Sequence, residues 1–184
     1  EKSLLEDQVW QDAKESGCKY LHFGYESGNE RVLKLMDKAT TTAIMTEHLK
    51  RTAEAGIWNH CMGFFGFPGE TKEEAWQSVQ FLEQNKDSVH SLGFGTFDLG
   101  RHNPVAKHPE KSGVTAYKNP EWDLALDYYY TVKNGMSIEE AERVFQQFEQ
   151  NHYAGWDLRL YIREYIFLYI AKFGLEKLRD LQFQ

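Results

Sequence analysis

A chain of 184 residues is long enough to bury one well-packed core, or one core with a helical appendage. Hydrophobic residues make up 41% and charged residues 27%, the balance of an ordinary globular domain, and a formal charge of −7 argues against a general nucleic-acid-binding surface. The longest apolar stretch, Tyr161 to Phe173, is interrupted by Arg163, Glu164 and Lys172, too often for a bilayer span. The chain opens at Glu1 in a polar, helix-like stretch with no initiator Met and no signal-peptide pattern, which reads as a segment of a longer cytoplasmic protein. Two cysteines, Cys18 and Cys61, are too few for a disulfide framework or a four-cysteine metal site, and each sits in an apolar run that suits a small buried side chain.

In chain order, Leu4 to Glu15 reads as an amphipathic helix ended by Gly17. Cys18 to Tyr25 is short, apolar and aromatic, and reads as a buried strand. Asn29 to Met36 presents Val32, Leu33 and Met36 on one face of a short helix. The threonines at 40–42 supply an N-cap for a helix over Ala43 to Ala55, with Ile44, Met45, Leu49 and Ala53 inward and Gly56 as its stop. A second buried strand is expected at Ile57 to Phe65, running into GFPGET. There Thr71-Lys72-Glu73-Glu74 fits a capping box, and Ala75, Val79 and Leu82 give the next helix its apolar stripe. A third strand candidate spans Val89 to Leu99. Helix and strand alternate three times, which implies βα units and a parallel sheet, open or barrel-like.

The pattern changes after Gly100. Three of the four prolines fall between Arg101 and Pro120, which reads as a long surface loop. A helix starting at the capping box of Ser137 and a final helix over Trp156 to Leu178 follow, and no strand alternation recurs. A boundary near residue 104 is expected to divide an α/β part (1–104) from a mainly helical extension (105–184).

Two segments place polar and glycine residues at strand ends, where parallel α/β folds bind ligands. In the first, Glu26 and Ser27 stand where the first strand gives out, and Lys38 follows past a short helix. A carboxylate able to accept two hydroxyl hydrogen bonds, with an ammonium nearby, suits a ligand carrying both a ribose and a carboxylate. An ordinary strand-end Glu with a solvated Lys has the same spacing. In the second, Gly63, Gly66 and Gly69 permit a bent strand end and close approach of a flat heterocycle, Pro68 fixes the turn, and Thr71 caps the helix. No Lys-Ser/Thr follows, as a nucleotide-binding phosphate loop requires. A plain strand-to-helix turn fits these residues equally well.

Taken in order, GCKYLHFGYESGNERVLKLMDK and AGIWNHCMGFFGFPGETKEEAWQSVQFL resemble the second half of the radical S-adenosylmethionine barrel. The resemblance is to the methylthiotransferase-like, coproporphyrinogen-oxidase-like and cobalamin-binding groups, and covers about residues 3 to 100. It implies the C-terminal half of a partial (β/α)6 TIM-like barrel, about three parallel βα units, followed by a mainly helical C-terminal extension. By position, the resemblance implies that Glu26 contacts the cosubstrate's ribose with Ser27 beside it, that Lys38 meets the methionyl carboxylate, and that Phe65, Gly66, Phe67 and Pro68 lie along the adenine. Met62 stands where several relatives carry an Asp that touches the ribose, a departure from the pattern. A sixth barrel strand, Phe94 to Leu99, closes the site.

The family's CxxxCxxC motif, which gives three thiolates to a [4Fe–4S] cluster, does not occur in this sequence. The resemblance therefore implies a parent enzyme that uses S-adenosylmethionine, a [4Fe–4S] cluster, an electron donor and, in one group, cobalamin, while this segment alone is inactive. Half a barrel would also present open strand edges that pair readily with a neighbouring chain. Two other classes fit the residues: a different (β/α)-barrel enzyme with GFPGE as an anion-binding turn for a phosphorylated metabolite, and a non-catalytic module docking through its aromatic C-terminal helices.

The seven histidines lack the spacing of a helix-borne metal site, although His22 and His60 both lie within strand runs. The aromatics Tyr128, Tyr129, Tyr130, Tyr153, Trp156, Tyr161, Tyr165, Phe167 and Tyr169 fit core packing better than a base-stacking surface.

Overall fold

In the computed structural model, residues 7–118, 126–151 and 163–182 are described. Three parallel strands form one sheet in the order β1 (Tyr20–Glu26), β2 (Trp58–Phe65), β3 (Ser91–Thr96). Helix α1 (Asp7–Glu15) precedes β1. Helices α2 (Glu30–Leu35) and α3 (Thr42–Glu54) join β1 to β2, and α4 (Lys72–Gln84) joins β2 to β3. The α/β reading and its element order hold for these units, with boundaries moved by a residue or two at most helix and strand ends. Ser91 starts β3 later than expected and Thr96 ends it earlier, although the Phe97 N–H still donates to the Phe65 carbonyl at 2.8 Å.

The sheet's two faces differ because parallel strands alternate their side chains while sharing register. Tyr25, Cys61, Phe65 and Leu92 face the helices, with Leu33, Leu49, Val79 and Leu82 packed on them. His60 and Ser91 share a register position, and Trp58 reaches over to bond Ser91. In α3 the buried residues are Met45, His48, Leu49 and Thr52, so Ile44 and Ala53, expected inward, sit half-buried beside the true inner face. Helix α4 buries Ala75, Val79 and Leu82 as its stripe predicts, with Ser78 and Phe81 added.

Helix α4 also has the predicted capping box. The Glu74 N–H donates to Thr71 Oγ1 at 3.3 Å, and the Thr71 N–H donates to Glu74 Oε2 at 2.9 Å. Thr71→Ala is expected to cost about 1 kcal/mol, read as a lower urea midpoint at unchanged m-value. An unchanged midpoint would mean that the cap contributes nothing.

The region after Gly100 is more structured than its prolines imply. Asn103 caps a short helix, α5 (Pro104–Lys107), with Pro104 in its first turn, and a 3₁₀ turn over Pro109–Ser112 follows. Strand β4 (Val114–Lys118) then pairs antiparallel with β5 (Tyr129–Val132). The reading of the proline-rich stretch as a long surface loop is thus corrected, within an extension that is still mainly helical. The β-branched and aromatic residues of VTAYK and YYTV form a ribbon that the proline density obscured.

Val105, Ala106, Val114 and Tyr130 share a cluster with Val32, Phe67, Phe97 and Leu99. Helix α6 (Ile138–Asn151) begins at the predicted Ser137 capping box and sends Ala141, Val144 and Phe148 into the main core. The expected final helix is described only from Arg163, as α7 (Arg163–Phe173) and α8 (Leu175–Gln182), broken at Gly174; its start at Trp156 lies outside the described residues. Ile170 and Leu178 pack on Trp58 near the amino end of the sheet. Among the expected core aromatics Tyr130 is buried, whereas Tyr129 and Tyr169 are exposed, and Tyr153, Trp156 and Tyr161 lie outside the described residues. No helix among the described residues is long and apolar enough to cross a membrane.

Candidate functional site

A cleft of about 730 Å³ opens at the carboxyl ends of the strands, within the size range of small-molecule sites. Glu26 and Lys38 stand on one wall, Phe64 and Phe67 on another, Thr96 and Asp98 at the end of β3, and His108 and Lys111 on the segment after α5. The local sequence explains how each wall is aimed.

Glu26 ends β1 with φ +62, and the β1–β2 register slips between Gly24 and Glu26. A left-handed non-glycine residue costs about 1–3 kcal/mol and is retained where surrounding structure enforces it. Helix α2 then ends in a Schellman motif. The Asp37 N–H donates to the Lys34 carbonyl and the Lys38 N–H to the Leu33 carbonyl, while Asp37 takes the left-handed position at φ +56. That reversal returns Lys38 to the strand end, where Nζ donates to Glu26 Oε1 at 2.9 Å. Both side chains are partly exposed, so the pair adds little stability and serves to orient its members.

The β2–α4 turn is closed from within. Phe67 to Glu70 form a turn with Pro68 and Gly69 in the centre, Gly69 at φ +92, and the Glu70 N–H donating to the Phe67 carbonyl at 2.8 Å. This is the type II pattern, which requires glycine in the third place. Glu70 is fully buried, and its Oε2 accepts the Gly66 N–H at 2.6 Å. Burial raises its pKa to about 7, against the opposing effect of the Gly66 and Phe67 N–H groups. From α2, Arg31 clamps the carboxylate of Glu74 with two nitrogens and donates to the Gly69 carbonyl at 2.6 Å. Tyr25 Oη donates to the Ser78 carbonyl at 2.8 Å, and the Gly28 N–H donates to Ser78 Oγ at 2.8 Å. The two segments singled out from sequence are therefore tied together through α4.

Of the seven sequence-derived candidates, Glu26, Lys38 and Phe67 line the cleft. Ser27 is fully buried, 3.1 Å from Ser78 Oγ, and accepts the Asn29 N–H. Phe65 faces the helices, packed against Phe94 and Phe148. Gly66 lies under α6, and Pro68 is buried in its turn. Phe64, one residue from Phe65 and on the opposite face, takes the cleft position. Thr96 and Asp98 fall in the strand segment expected to close the site, and His108 and Lys111 in the loop after it, but sequence reading named none of them individually and missed Arg31, which stands just after SGN at a helix start. Asp98 has its pKa raised, by partial burial first and by Asp127 second. His22 and His60 lie side by side, ring centroids 4.9 Å apart, with His22 Nδ1 at 3.4 Å from Met62 Sδ.

Parallel βα units with a ligand-sized cleft at the strands' carboxyl ends are the arrangement in which (β/α) folds bind ligands. Comparison with known proteins agrees. Residues 2–82 match the radical SAM superfamily. An uncharacterized methyltransferase from Pyrococcus horikoshii is 32% identical over 84 residues, 45% of this chain and 18% of that protein. The threonylcarbamoyladenosine tRNA methylthiotransferase of Bacillus subtilis is 30% identical over 166 residues, 85% of this chain and 37% of that protein.

Among solved structures, coproporphyrinogen III oxidase from Escherichia coli, a radical SAM enzyme, superposes with TM-score 0.56 at 15% identity, over 79% of this chain and 29% of that one. A radical S-adenosylmethionine methyltransferase from Kitasatospora setae, solved with tryptophan and a cosubstrate analogue, gives 0.53 at 19% identity, over 76% and 28%. Residues 2–82 thus carry the likeness to the radical SAM superfamily, and the chain spans well under half the length of these relatives.

The family implies S-adenosylmethionine and a [4Fe–4S] cluster, and the residues fit the two differently. The cleft has the volume, the carboxylate–ammonium pair and the aromatic wall for the first. The cluster does not fit this chain. Cys61 is buried on the helix side, its thiol pKa pushed up by burial, while Cys18 precedes β1. No group of three metal-capable side chains occurs among the described residues.

Proposed function

We propose that this chain forms the cosubstrate-binding side of a radical S-adenosylmethionine enzyme whose cluster cysteines lie outside these 184 residues. The observation that carries the reading is the Glu26–Lys38 pair, held at 2.9 Å at the mouth of an aromatic-walled cleft by a strained strand end and a Schellman reversal. In this reading Glu26 accepts the ribose hydroxyls, Lys38 donates to the methionyl carboxylate, and Phe64 and Phe67 cover the adenine. These groups bind and orient; the cofactor supplies the radical, methyl or methylthio chemistry. The relatives' activities favour transfer of a methyl or methylthio group, and the cobalamin in one solved neighbour makes a cobalamin-dependent version a natural candidate. An electron donor and a substrate entering beside Asp98 complete the proposal. The segment alone is expected to be inactive, with open sheet edges prone to self-association.

Full-length protein purified without oxygen is expected to hold about four irons and four sulfides per chain and to cleave S-adenosylmethionine under reduction. Glu26→Gln is expected to weaken S-adenosylhomocysteine binding by about tenfold in titration calorimetry, with the fold retained. Protein without iron, or an affinity that Glu26→Gln leaves unchanged, would sink the reading.

A further inference from the structure

Glu70 is absent from the cleft lining, yet three hydrogen bonds converge on it. Its Oε2 takes the Gly66 N–H at 2.6 Å. Its own N–H donates to the Phe67 carbonyl at 2.8 Å, and its carbonyl accepts the Met136 N–H at 2.7 Å. The side chain is wholly buried, and its Oε1 has no hydrogen-bond partner among the described residues. A lone carboxyl oxygen without a partner in the interior is costly, so a residue kept there must be held by what the other oxygen does.

What it does is close a ring around Phe67. With the carboxyl group bonded to the Gly66 amide, the backbone from Gly66 to Glu70 has one compact shape. That shape sets Phe67 edge-on to Phe97, with ring centroids 5.3 Å apart, at the cleft wall. The Met136 bond carries the same constraint to the start of α6. Gly135 packs so closely there that a β-carbon would stand 2.5 Å from the Glu70 carbonyl oxygen.

We infer that Glu70 is the positioning residue that holds the Phe67 wall of the cleft in place through the Gly66–Glu70 turn, without touching the ligand. The inference rests on reading the cleft as the S-adenosylmethionine site. Arg31 and Glu74 are the charged groups that act electrostatically on the carboxyl, and Tyr25 of β1 is coupled to it in the same way. None of these replaces the bond to Gly66.

The test compares full-length wild type with Glu70→Ala, Glu70→Gln and Glu70→Asp. The probe is S-adenosylhomocysteine in titration calorimetry, and hydrogen–deuterium exchange over residues 63–71 reports the turn. Glu70→Gln keeps a carbonyl oxygen for the Gly66 N–H, and is expected to bind within about threefold of wild type with the segment still protected. Glu70→Ala and the shorter Glu70→Asp are expected to lose about tenfold in affinity and to exchange faster over 63–71 only. Should Glu70→Ala not fold, Glu70→Asp against Glu70→Gln carries the same contrast.

A folded Ala or Asp variant with wild-type affinity would overturn the inference and leave the cleft reading standing. Wild type that ignores the probe, with faster exchange confined to the Ala and Asp variants, would overturn the cleft reading and leave Glu70 as the brace of this wall. Unchanged exchange in every variant would overturn the brace itself.

Discussion

Gly66→Ala is expected to destabilise the chain by about 3 kcal/mol, and Ala141→Gly to return part of that loss in the double variant. Two independent penalties meet at position 66. The residue sits at φ +85, where an L-residue costs about 1–2 kcal/mol. A β-carbon there would stand 2.5 Å from Ala141 Cβ, far inside contact distance, so α6 must move. Helix α6 is held to the sheet by Phe148, fully buried and edge-on to Phe65 at 5.5 Å, so the displacement spreads into the main core. Removing the Ala141 methyl relieves only the steric part. Chemical denaturation of the single and double variants measures the split. Equal destabilisation of Gly66→Ala with and without Ala141→Gly would show that backbone strain alone decides the site.

The turn at Gly66 also marks the limit of what the sequence made legible. Local chemistry with a fixed offset was readable. The capping boxes at Thr71 and Ser137, the stripe of Ala75, Val79 and Leu82, and the strand–helix alternation all appear where their residues place them. Phase was not readable in GFF. Phe64 and Phe65 are equally apolar, and only the register with β1 and β3 decides which faces the cleft.

Long-range ties were invisible for a different reason. Nothing in Arg31 or Ser78 announces a partner some forty to fifty residues away, because a surface-compatible polar residue looks the same whether or not a neighbouring loop uses it. Of the cleft, Glu26 and Lys38 were legible because a strand end and a helix end are local events. Asp98 lies in the strand expected to close the site, whereas the placing of His108 and Lys111 was not legible, since it depends on how the segment after Gly100 folds back. Proline density there suggested loop, whereas the alternating β-formers of β4 found a partner in β5.

Glu70 supplies the last expectation, a fall in stability as pH rises through neutrality. Its pKa is raised from 4.5 to about 7, chiefly by burial. Between those values the folded chain holds a proton that the unfolded chain releases, so stability must decline as pH increases across that window. The contribution is fully present below about pH 4.5 and gone above about pH 7, with a total near 3 kcal/mol by linkage.

Glu74, Glu30, Glu47 and Glu139 work in the opposite sense, their pKa values lowered by hydrogen bonds, led by those from Arg31, Thr42, Arg51 and a backbone amide respectively. Their stabilisation is present above the usual carboxylate range and lost as pH falls below it, so the two effects occupy different windows. Glu70→Gln cannot titrate, and removes the neutral-range decline while leaving the acid-side rise. Thermal or urea midpoints of wild type and Glu70→Gln, taken every half unit from pH 4 to 8, should therefore separate progressively above pH 5, with the variant relatively more stable at pH 8. Parallel curves across that range would mean that Glu70 ionises in the folded chain as it does in the unfolded one, and that the buried carboxyl finds more compensation than the Gly66 and Phe67 amides provide.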